Sequence, residues 1–382
     1  MKITRVETFA VPPRWLFCRV ETDEGLIGWG EPTLEGSVDV VRAAVDELAE
    51  LIIGTDPLRI EDHWQVMTKA GFYRGGPVRS SAVAGLDQAL WDIAGKARDD
   101  APVHSLLGGP VRDLVRVYGW VGGDEPAELA ESITAQVEAG FTAIKMNASG
   151  RLGPIATRAD TSAVVERAAI ARTILGDARD FAIDFHGRVT AANARRLLPL
   201  LAESHPLFVE EPVLPEHVSA LASVVAASQI PIATGERLFS RTDFLPALQA
   251  GIAVVQPDLA HAGGISEVRR IASLAEVFNA HLAPHSPLGP ISLAASLQVA
   301  FATPNFLIQE QSLGIHYHHG TEILDYLVDP SLFRFIDGHA VRTDRPGLGI
   351  DVDEAAVRRA ADSTAAWRGP LWRHPDGSFA EW

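Results

Sequence analysis

The sequence of 382 residues predicts an α/β protein in which a closed parallel barrel follows an α+β module. Three patterns carry that expectation. Residues 1 to about 35 read as successive strands and the stretch after them as helix, with no βαβ alternation. From Val115 onward, eight short apolar runs alternate with helical patterns, as in a parallel barrel. Ionisable residues close six consecutive runs at steps of 22 to 27 residues, the length of one strand and its return helix.

The elements follow in order. Ile3-Thr-Arg-Val-Glu-Thr-Phe alternates like a half-buried strand, Leu16-Phe-Cys-Arg-Val-Glu-Thr is a second strand, and Asp23-Glu-Gly turns the chain into Leu26-Ile-Gly-Trp-Gly-Glu. Residues 37–110 are expected to be mostly helical. Val41, Ala44, Val45 and Leu48 recur at helix spacing, and Ser80 to Lys96 forms another amphipathic stretch stopped by Asp99 to Pro102. Barrel strands are expected at Val115–Val121, Ala143–Asn147, Phe181–His186, Leu207–Glu210, Ile232–Glu236, Val254–Asp258, Leu282–His285 and Phe306–Glu310. The alternation fades after about residue 330, where Gly347-Leu-Gly-Ile and the tryptophans Trp367, Trp372 and Trp382 suggest a packed tail. The expected division is a capping module over 1–114, a barrel over 115–330, and a segment over 331–382 that packs back on the capping module.

Composition limits the function. Acidic residues number 49 against 33 basic, a net charge of −16, which repels nucleic-acid phosphates and anionic lipid headgroups. Neither nucleic acid nor a membrane is an expected partner. With 47% apolar and 21% charged residues, the chain is expected to fold rather than stay disordered. The single cysteine, Cys18, excludes an internal disulfide and fits a reducing cytoplasm. Its strand-like neighbours supply no activating base, so it is expected in the core. No signal-peptide pattern opens the sequence, and no apolar run approaches the roughly 18 residues a membrane span needs.

Asp184, Glu210, Glu236, Asp258, His285 and Glu310 each end a run, so they are expected at the C-terminal mouth of the barrel, where barrel enzymes hold their active sites. A lone acid at a strand end is commonly a cap or a salt-bridge partner. Six ionisable groups in register are not explained by capping. Burying several carboxylates together costs heavily unless a cation neutralises them. Oxygen ligands suit Mg2+, whereas zinc takes more His or Cys. His186 follows Asp184 by two residues, so both are expected to face the mouth. His285 ends the seventh run, across the barrel from the third, and a substrate between them meets an imidazole on each side. Asp258, on the neighbouring strand, is expected to hydrogen-bond His285, setting its tautomer and favouring its protonated form, as for a general base with an orienting carboxylate.

These segments resemble the mandelate racemase-like branch of the enolase superfamily over essentially the whole chain. The resemblance rests on Phe181-Ala-Ile-Asp-Phe-His, Val209-Glu-Glu-Pro, Ala233-Thr-Gly-Glu-Arg, Gln256-Pro-Asp-Leu-Ala-His-Ala-Gly-Gly, Ala283-Pro-His-Ser-Pro-Leu-Gly-Pro and Gln309-Glu-Gln, weak singly and specific in their order. Pro13-Arg-Trp, Gly71-Phe-Tyr-Arg-Gly-Gly-Pro, Trp120-Val-Gly-Gly-Asp, Phe185-His-Gly-Arg-Val, Gly314-Ile-His-Tyr and the closing Pro370-Leu-Trp-Arg-His-Pro narrow it to sugar-acid dehydratases of that branch. The resemblance implies a modified TIM barrel, (β/α)7β, with an α+β N-terminal capping domain completed by the C-terminal tail. It implies one Mg2+ per subunit, held by Asp184, Glu210 and Glu236, and a small-molecule sugar acid as substrate. His285, paired with Asp258, becomes the base, His186 the general acid, and Glu310 a hydrogen-bond partner of the substrate carboxylate. Glu211 becomes a structural salt-bridge residue. A homo-oligomer, commonly an octamer, is implied as well.

One departure narrows the chemistry. Many relatives carry Lys-x-Lys at the second strand, where this sequence has Lys145-Met-Asn147, so a Lys/His two-base racemase is not available. The pair His285 and His186 suits removal of a C2 proton and loss of the C3 hydroxyl, with Mg2+ and Lys145 stabilising the enediolate charge. Arg14, Trp15, Tyr73 and Asn147 are expected to contact the substrate, the first three from cap loops around 14–15 and 72–77. A dehydratase or epimerase of another acid sugar remains an alternative, as do a metal-dependent hydrolase, which the ligand types fit poorly, and a non-catalytic sugar-acid sensor. A second metal at His316, His318 and His319 is not expected, nor is a phosphate cradle at Gly108-Gly or Gly122-Gly.

Overall fold

In the computed structural model, which describes residues 1–122, 126–315, 322–362 and 367–381, the chain opens with a three-stranded antiparallel sheet. Its strands are β1 (Ile3–Val11), β2 (Trp15–Thr22) and β3 (Ile27–Gly30), paired in sequence order. β2 is buried along most of its length because both faces are covered. Trp15, Phe17 and Arg19 meet Tyr326 and Glu354 from the end of the chain. Leu16, Cys18 and Val20 take the alternate face. Burial there pushes the Cys18 thiol up, leaving it a core residue.

Helices α1 (Val38–Ile52), α2 (Ile60–Lys69) and α3 (Pro77–Ala97) follow. α1 turns Val41, Val45, Leu48 and Ile52 inward, at the helical spacing visible in the sequence. α3 is buried without a break from Ser81 to Gly95, because it lies between the sheet and the barrel. Glycine permits that approach: a Cβ on Gly30 would overlap the Gly85 carbonyl, so β3 rests directly on the backbone of α3. A short helix, α4 (Val103–Leu106), leads to β4 (Leu114–Arg116).

The strand expected over Val115–Val121 divides in two. β4 stays outside the barrel, and β5 (Gly119–Val121) is the first barrel strand. Strand and helix then alternate through α5 (Pro126–Glu138), β6 (Ala143–Asn147), α6 (Arg158–Leu175), β7 (Asp180–Asp184), α7 (Ala191–Leu201), β8 (Val209–Glu210), α8 (Val218–Ala226), β9 (Ile232–Thr234), α9 (Arg241–Gln249), β10 (Val254–Val255), α10 (Gly264–Val277), β11 (His281–Leu282) and α11 (Pro290–Ala302). β5 to β11 form one parallel sheet in sequence order. The eighth run, Phe306–Glu310, is not a regular strand. Bridges from Phe306 to Leu282 and from Gln309 to Val117 join it to β11 and to the chain entering β5, which closes the ring as a (β/α)7β barrel.

Inside the ring, Tyr118, Ala143, Ala182, Phe208, Ala233, Val254, Ala283 and Ile308 pack as one cluster, one residue from each strand segment. Side chains on one face of a strand recur every second residue. The next inward layer is therefore Trp120, Lys145, Asp184, Glu210, Gly235, Gln256, His285 and Glu310, and it is mostly polar. Gly235 has no side chain to contribute: its φ of 148° swings the chain so that Glu236 lines the mouth instead.

The chain then returns to its start. β12 (His339–Val341) pairs with β4, Gly347 bridges to Pro102, and α12 (Glu354–Ala361) packs on β1. Arg19–Glu354 (3.1 Å) and Arg358–Glu7 (3.2 Å) tie α12 to the sheet. Trp367 and Trp372 lie against Arg14 and Arg188 at the barrel mouth. Trp382 and the histidines at 316, 318 and 319 lie outside the described residues. Among the described residues, no helix is long and apolar enough to cross a membrane.

Candidate active site

A cavity of about 270 Å3 opens at the C-terminal ends of the barrel strands, roofed by the loops that carry Arg14 and Glu35. Asp184, Glu236, His285 and Glu310 line it, as their strand-end spacing predicts, and Lys145 and His186 join them, whereas Glu210 is buried behind the lining. Asp258 lies behind His285, buried, with Oδ2 2.7 Å from His285 Nδ1. Its Oδ1 accepts the Ala260 amide at 2.6 Å, so the carboxylate is held from both sides. This directs His285 Nε2 toward Glu236 (3.4 Å) and Glu310 (4.0 Å). Burial opposes charge on His285, but Glu236, Glu310 and Asp258 outweigh it and hold the ring well above the ordinary histidine range.

His186 lies on the other side of the ring, four strands away. Its φ of +52° is in the left-handed region, uncommon for a side-chain-bearing residue. Hydrogen bonds hold the turn: its amide donates to Asp184 Oδ1 at 2.6 Å, and its carbonyl accepts from Arg237 at 2.9 Å. Arg188 donates to Nδ1 at 2.8 Å, so that nitrogen is the acceptor and Nε2 bears the hydrogen. Burial, then Arg188, Lys145 and Arg237, push the imidazole well below its usual range. Burial and these neighbouring cations therefore disfavour the charged form of the expected acid.

Lys145 is 1% exposed, with Nζ 2.9 Å from both Glu210 and Glu310 and 3.8 Å from Asp184. Burial works against its charge, but Glu210 and Glu310 hold the ammonium well above its ordinary range. Glu310 also takes the Ser286 amide at 2.8 Å. Burial pushes Glu310 up, yet Lys145 and His285 bring it below the usual range. Its carboxylate accepts from both Lys145 and the Ser286 amide.

The cap contacts divide. Arg14 lines the cavity, whereas Trp15 does not: Trp15 is fully buried against Phe17 and Tyr326. Neighbours in an extended segment point to opposite faces, so only one of the two reaches the mouth. Tyr73 is 87% exposed beside Phe72 and is not part of the lining. Asn147 pairs in register with Asp184 at the strand end, with its Oδ1 buried and without a hydrogen-bond partner, and it is not part of the cavity lining. Glu211 forms the expected structural ion pair, with Arg237. Sequence reasoning assigned no role to Glu35, His261 and Arg237, which also line the cavity. His261 and Arg237 stand inside the quoted strand-end segments, and that position was the available signal.

The acidic residues fit a hard cation. Ligand atoms of Asp184, His186 and Glu236 lie within 4.8 Å of one another. Asp184 Oδ2 and Glu236 Oε2 are buried without a hydrogen-bond partner. Burial lifts Asp184 to about 6, Glu210 to about 7 and Glu236 well above the usual carboxylate range. The site's own cations leave this negative charge only partly balanced, and an oxygen-rich donor set matches a divalent ion of the Mg2+ type. Glu210 differs from the other two because both its oxygens already bond Lys145. A second group, Asp258, His261 and His285, is also close enough to hold an ion, but its Asp258 is already engaged by His285 and the Ala260 amide.

Known families agree with this architecture. Residues 8–108 match the mandelate racemase / muconate lactonizing enzyme N-terminal domain, and residues 128–356 match the enolase C-terminal domain-like family. The chain belongs to the mandelate racemase branch of the enolase superfamily. Within it, the chain is 51% identical over 383 residues to D-galactonate dehydratase of Verminephrobacter eiseniae and 49% identical over 383 residues to that of Pectobacterium atrosepticum, the whole of each chain being covered. Among solved structures, an enolase from Agrobacterium radiobacter with Na and L-malate bound is 34% identical with a TM-score of 0.89, covering 100% of both chains. A mandelate racemase/muconate lactonizing enzyme from Sulfitobacter is 32% identical with a TM-score of 0.90, covering 98% of this chain and 99% of that one.

Proposed function

We propose that the protein is a Mg2+-dependent D-galactonate dehydratase, a hydro-lyase forming 2-dehydro-3-deoxy-D-galactonate and water. The observation that carries this reading is the His285–Asp258 pair opposite His186 in an acid-lined cavity, within a chain matching D-galactonate dehydratases from end to end. The Agrobacterium relative with Na and L-malate, itself a 2-hydroxy acid, supports such a cavity holding a cation and a hydroxy acid together.

Asp184, Glu210 and Glu236 would hold the metal. When bound, Mg2+ neutralises these carboxylates, weakens the anionic field that keeps His285 protonated, and adds positive charge beside a substrate carboxylate. His285 Nε2 removes the C2 proton, while Asp258 keeps the other ring nitrogen protonated and the ring in place. Lys145 supplies a buried, pre-positioned charge as the enediolate forms. His186 gives its proton to the departing C3 hydroxyl, and the arrival of an anionic substrate favours its protonated form. Glu310 holds the Lys145 ammonium toward the substrate and hydrogen-bonds the substrate carboxylate on the side away from the metal. Residues 1–114 cap the mouth and exclude water, with Arg14 and Asn147 as substrate contacts.

Isotope exchange in D2O tests the roles. His285→Asn should lose both C2 exchange and dehydration, and His186→Asn should lose dehydration while retaining some exchange. Full turnover by His285→Asn would overturn the base assignment. A panel of sugar acids with Mg2+, scored for 2-keto product, tests the substrate. A C2 epimer formed without 2-keto product would mark an epimerase instead.

A further inference from the structure

We propose that Glu35 is a specificity-determining residue, pairing with Arg14 to recognise adjacent hydroxyls at the end of the sugar acid remote from its carboxylate. This rests on the aldonate reading above and adds the group that reads the substrate's tail.

Glu35 follows β3 on the capping side and faces His261, three residues beyond Asp258 on the barrel side. Its Oε1 lies 3.5 Å from Arg14 Nη2 and its Oε2 3.5 Å from His261 Nε2. These are one long contact to each oxygen, and a carboxylate oxygen can accept more than one hydrogen bond. The carboxylate is therefore flanked by positive groups while retaining acceptor capacity toward the cavity. His261 is kept in place from behind by Ser81 Oγ, 3.3 Å from Nδ1, on α3. Burial opposes charge on Glu35, but Arg14 and His261 keep it ionised, well below the usual carboxylate range.

A fixed negative charge in the wall of a cavity that takes an anion has a directional effect. A substrate carboxylate placed against Glu35 would meet a like charge, whereas at Lys145 it meets a cation. Facing Glu35 is then the polyol tail. A carboxylate only accepts hydrogen bonds and a guanidinium only donates them. Two neighbouring hydroxyls, one donating to Glu35 and the other accepting from Arg14, satisfy both with charge-assisted bonds. A tail lacking those hydroxyls leaves buried polar groups unmatched, which is a strong basis for discrimination. A carboxylate that merely tied the two layers together would affect stability, and all substrates alike.

The test compares wild type with Glu35→Gln, of equal size without the charge, on D-galactonate, D-fuconate, which lacks the 6-hydroxyl, and L-arabinonate, which ends one carbon earlier. Turnover and calorimetric binding are both measured with Mg2+ present. Glu35→Gln should lose about 10- to 100-fold in kcat/KM on D-galactonate, mainly through KM, with a parallel rise in Kd. On L-arabinonate the loss should stay below about threefold, because the contact is already missing there. Glu35→Asp, charged but shorter, should show the same ordering of substrates with a smaller loss. Equal losses on all three acids, or a loss in kcat with KM and Kd unchanged, would overturn the proposal. If wild type binds the acids but forms no 2-keto product, the dehydratase reading fails while the Kd series still decides Glu35. Failure to bind any of them overturns both.

Discussion

Both carboxylate oxygens of Asp258 are engaged, one by His285 and one by the Ala260 amide, so this residue sets the ring tautomer and the loop shape together. Asp258→Asn preserves the shape but neither stabilises an imidazolium nor enforces the tautomer. Its kcat/KM is expected to fall by about 100-fold or more with little change in melting temperature, measured by steady-state kinetics and a thermal melt. Lys145 balances Glu210 and Glu310 from full burial. Lys145→Met leaves those carboxylates unpaired and should cost about 3–5 kcal/mol of stability in a denaturant melt with chelator present. An unchanged melt would show that the acids are neutral rather than charge-paired. At this scale the residue types were legible from their strand-end spacing, but their charge states were not. Burial, and then Arg188 against its Nδ1 through a contact made at a left-handed turn, disfavour the charged form of His186.

α10 and α11 begin just beyond the loops that carry Asp258 and His285, and the N-terminal layer caps both helices with buried acids. Glu31, just past β3, accepts the Gly289 and Ser292 amides at 2.7 and 2.9 Å. Asp87 on α3 accepts the Ser266 amide at 2.9 Å and its hydroxyl at 2.6 Å. Carboxylates suit helix N-termini, whose first amides lack partners within the helix. Burial nevertheless pushes each acid up to about 7, from ordinary values of 4.5 for Glu31 and 3.8 for Asp87. The folded state therefore holds protons that the unfolded chain has released. Their stabilising contribution is present below the ordinary values and is lost as pH rises through about 7, at about 1.4 kcal/mol per pH unit for each group. Asp87→Asn should flatten the decline in melting temperature between pH 5 and pH 7; an unchanged slope would mean that Asp87 is ionised throughout. Neither cap could be read from sequence, since each acid lies far along the chain from the helix it caps.

Across the whole molecule, acids concentrated at the barrel mouth predict stabilisation by a divalent cation, because only the folded state brings them together. Mg2+ at a hundred times its Kd should add about 2.7 kcal/mol, seen as a rise in melting temperature after chelator treatment. No rise would count against a metal held by Asp184, Glu210 and Glu236. A net charge of −16 does not prevent an acidic substrate from binding, since Lys145 and Arg14 line the cavity and a bound cation would add to their charge. The alternation of strands and helices, and the gathering of Asp184, Glu210, Glu236, Asp258, His285 and Glu310 at one end, were determined by the sequence alone. Strand period and repeat length are local quantities, and counting residues recovers them. Only the tertiary structure decided that Trp15 faces the core while Arg14 faces the cavity, that Lys145 is shared by Glu210 and Glu310, and that Glu35 meets His261. Those contacts depend on how the N-terminal layer docks on the barrel, and no local periodicity encodes an interface between distant parts of a chain.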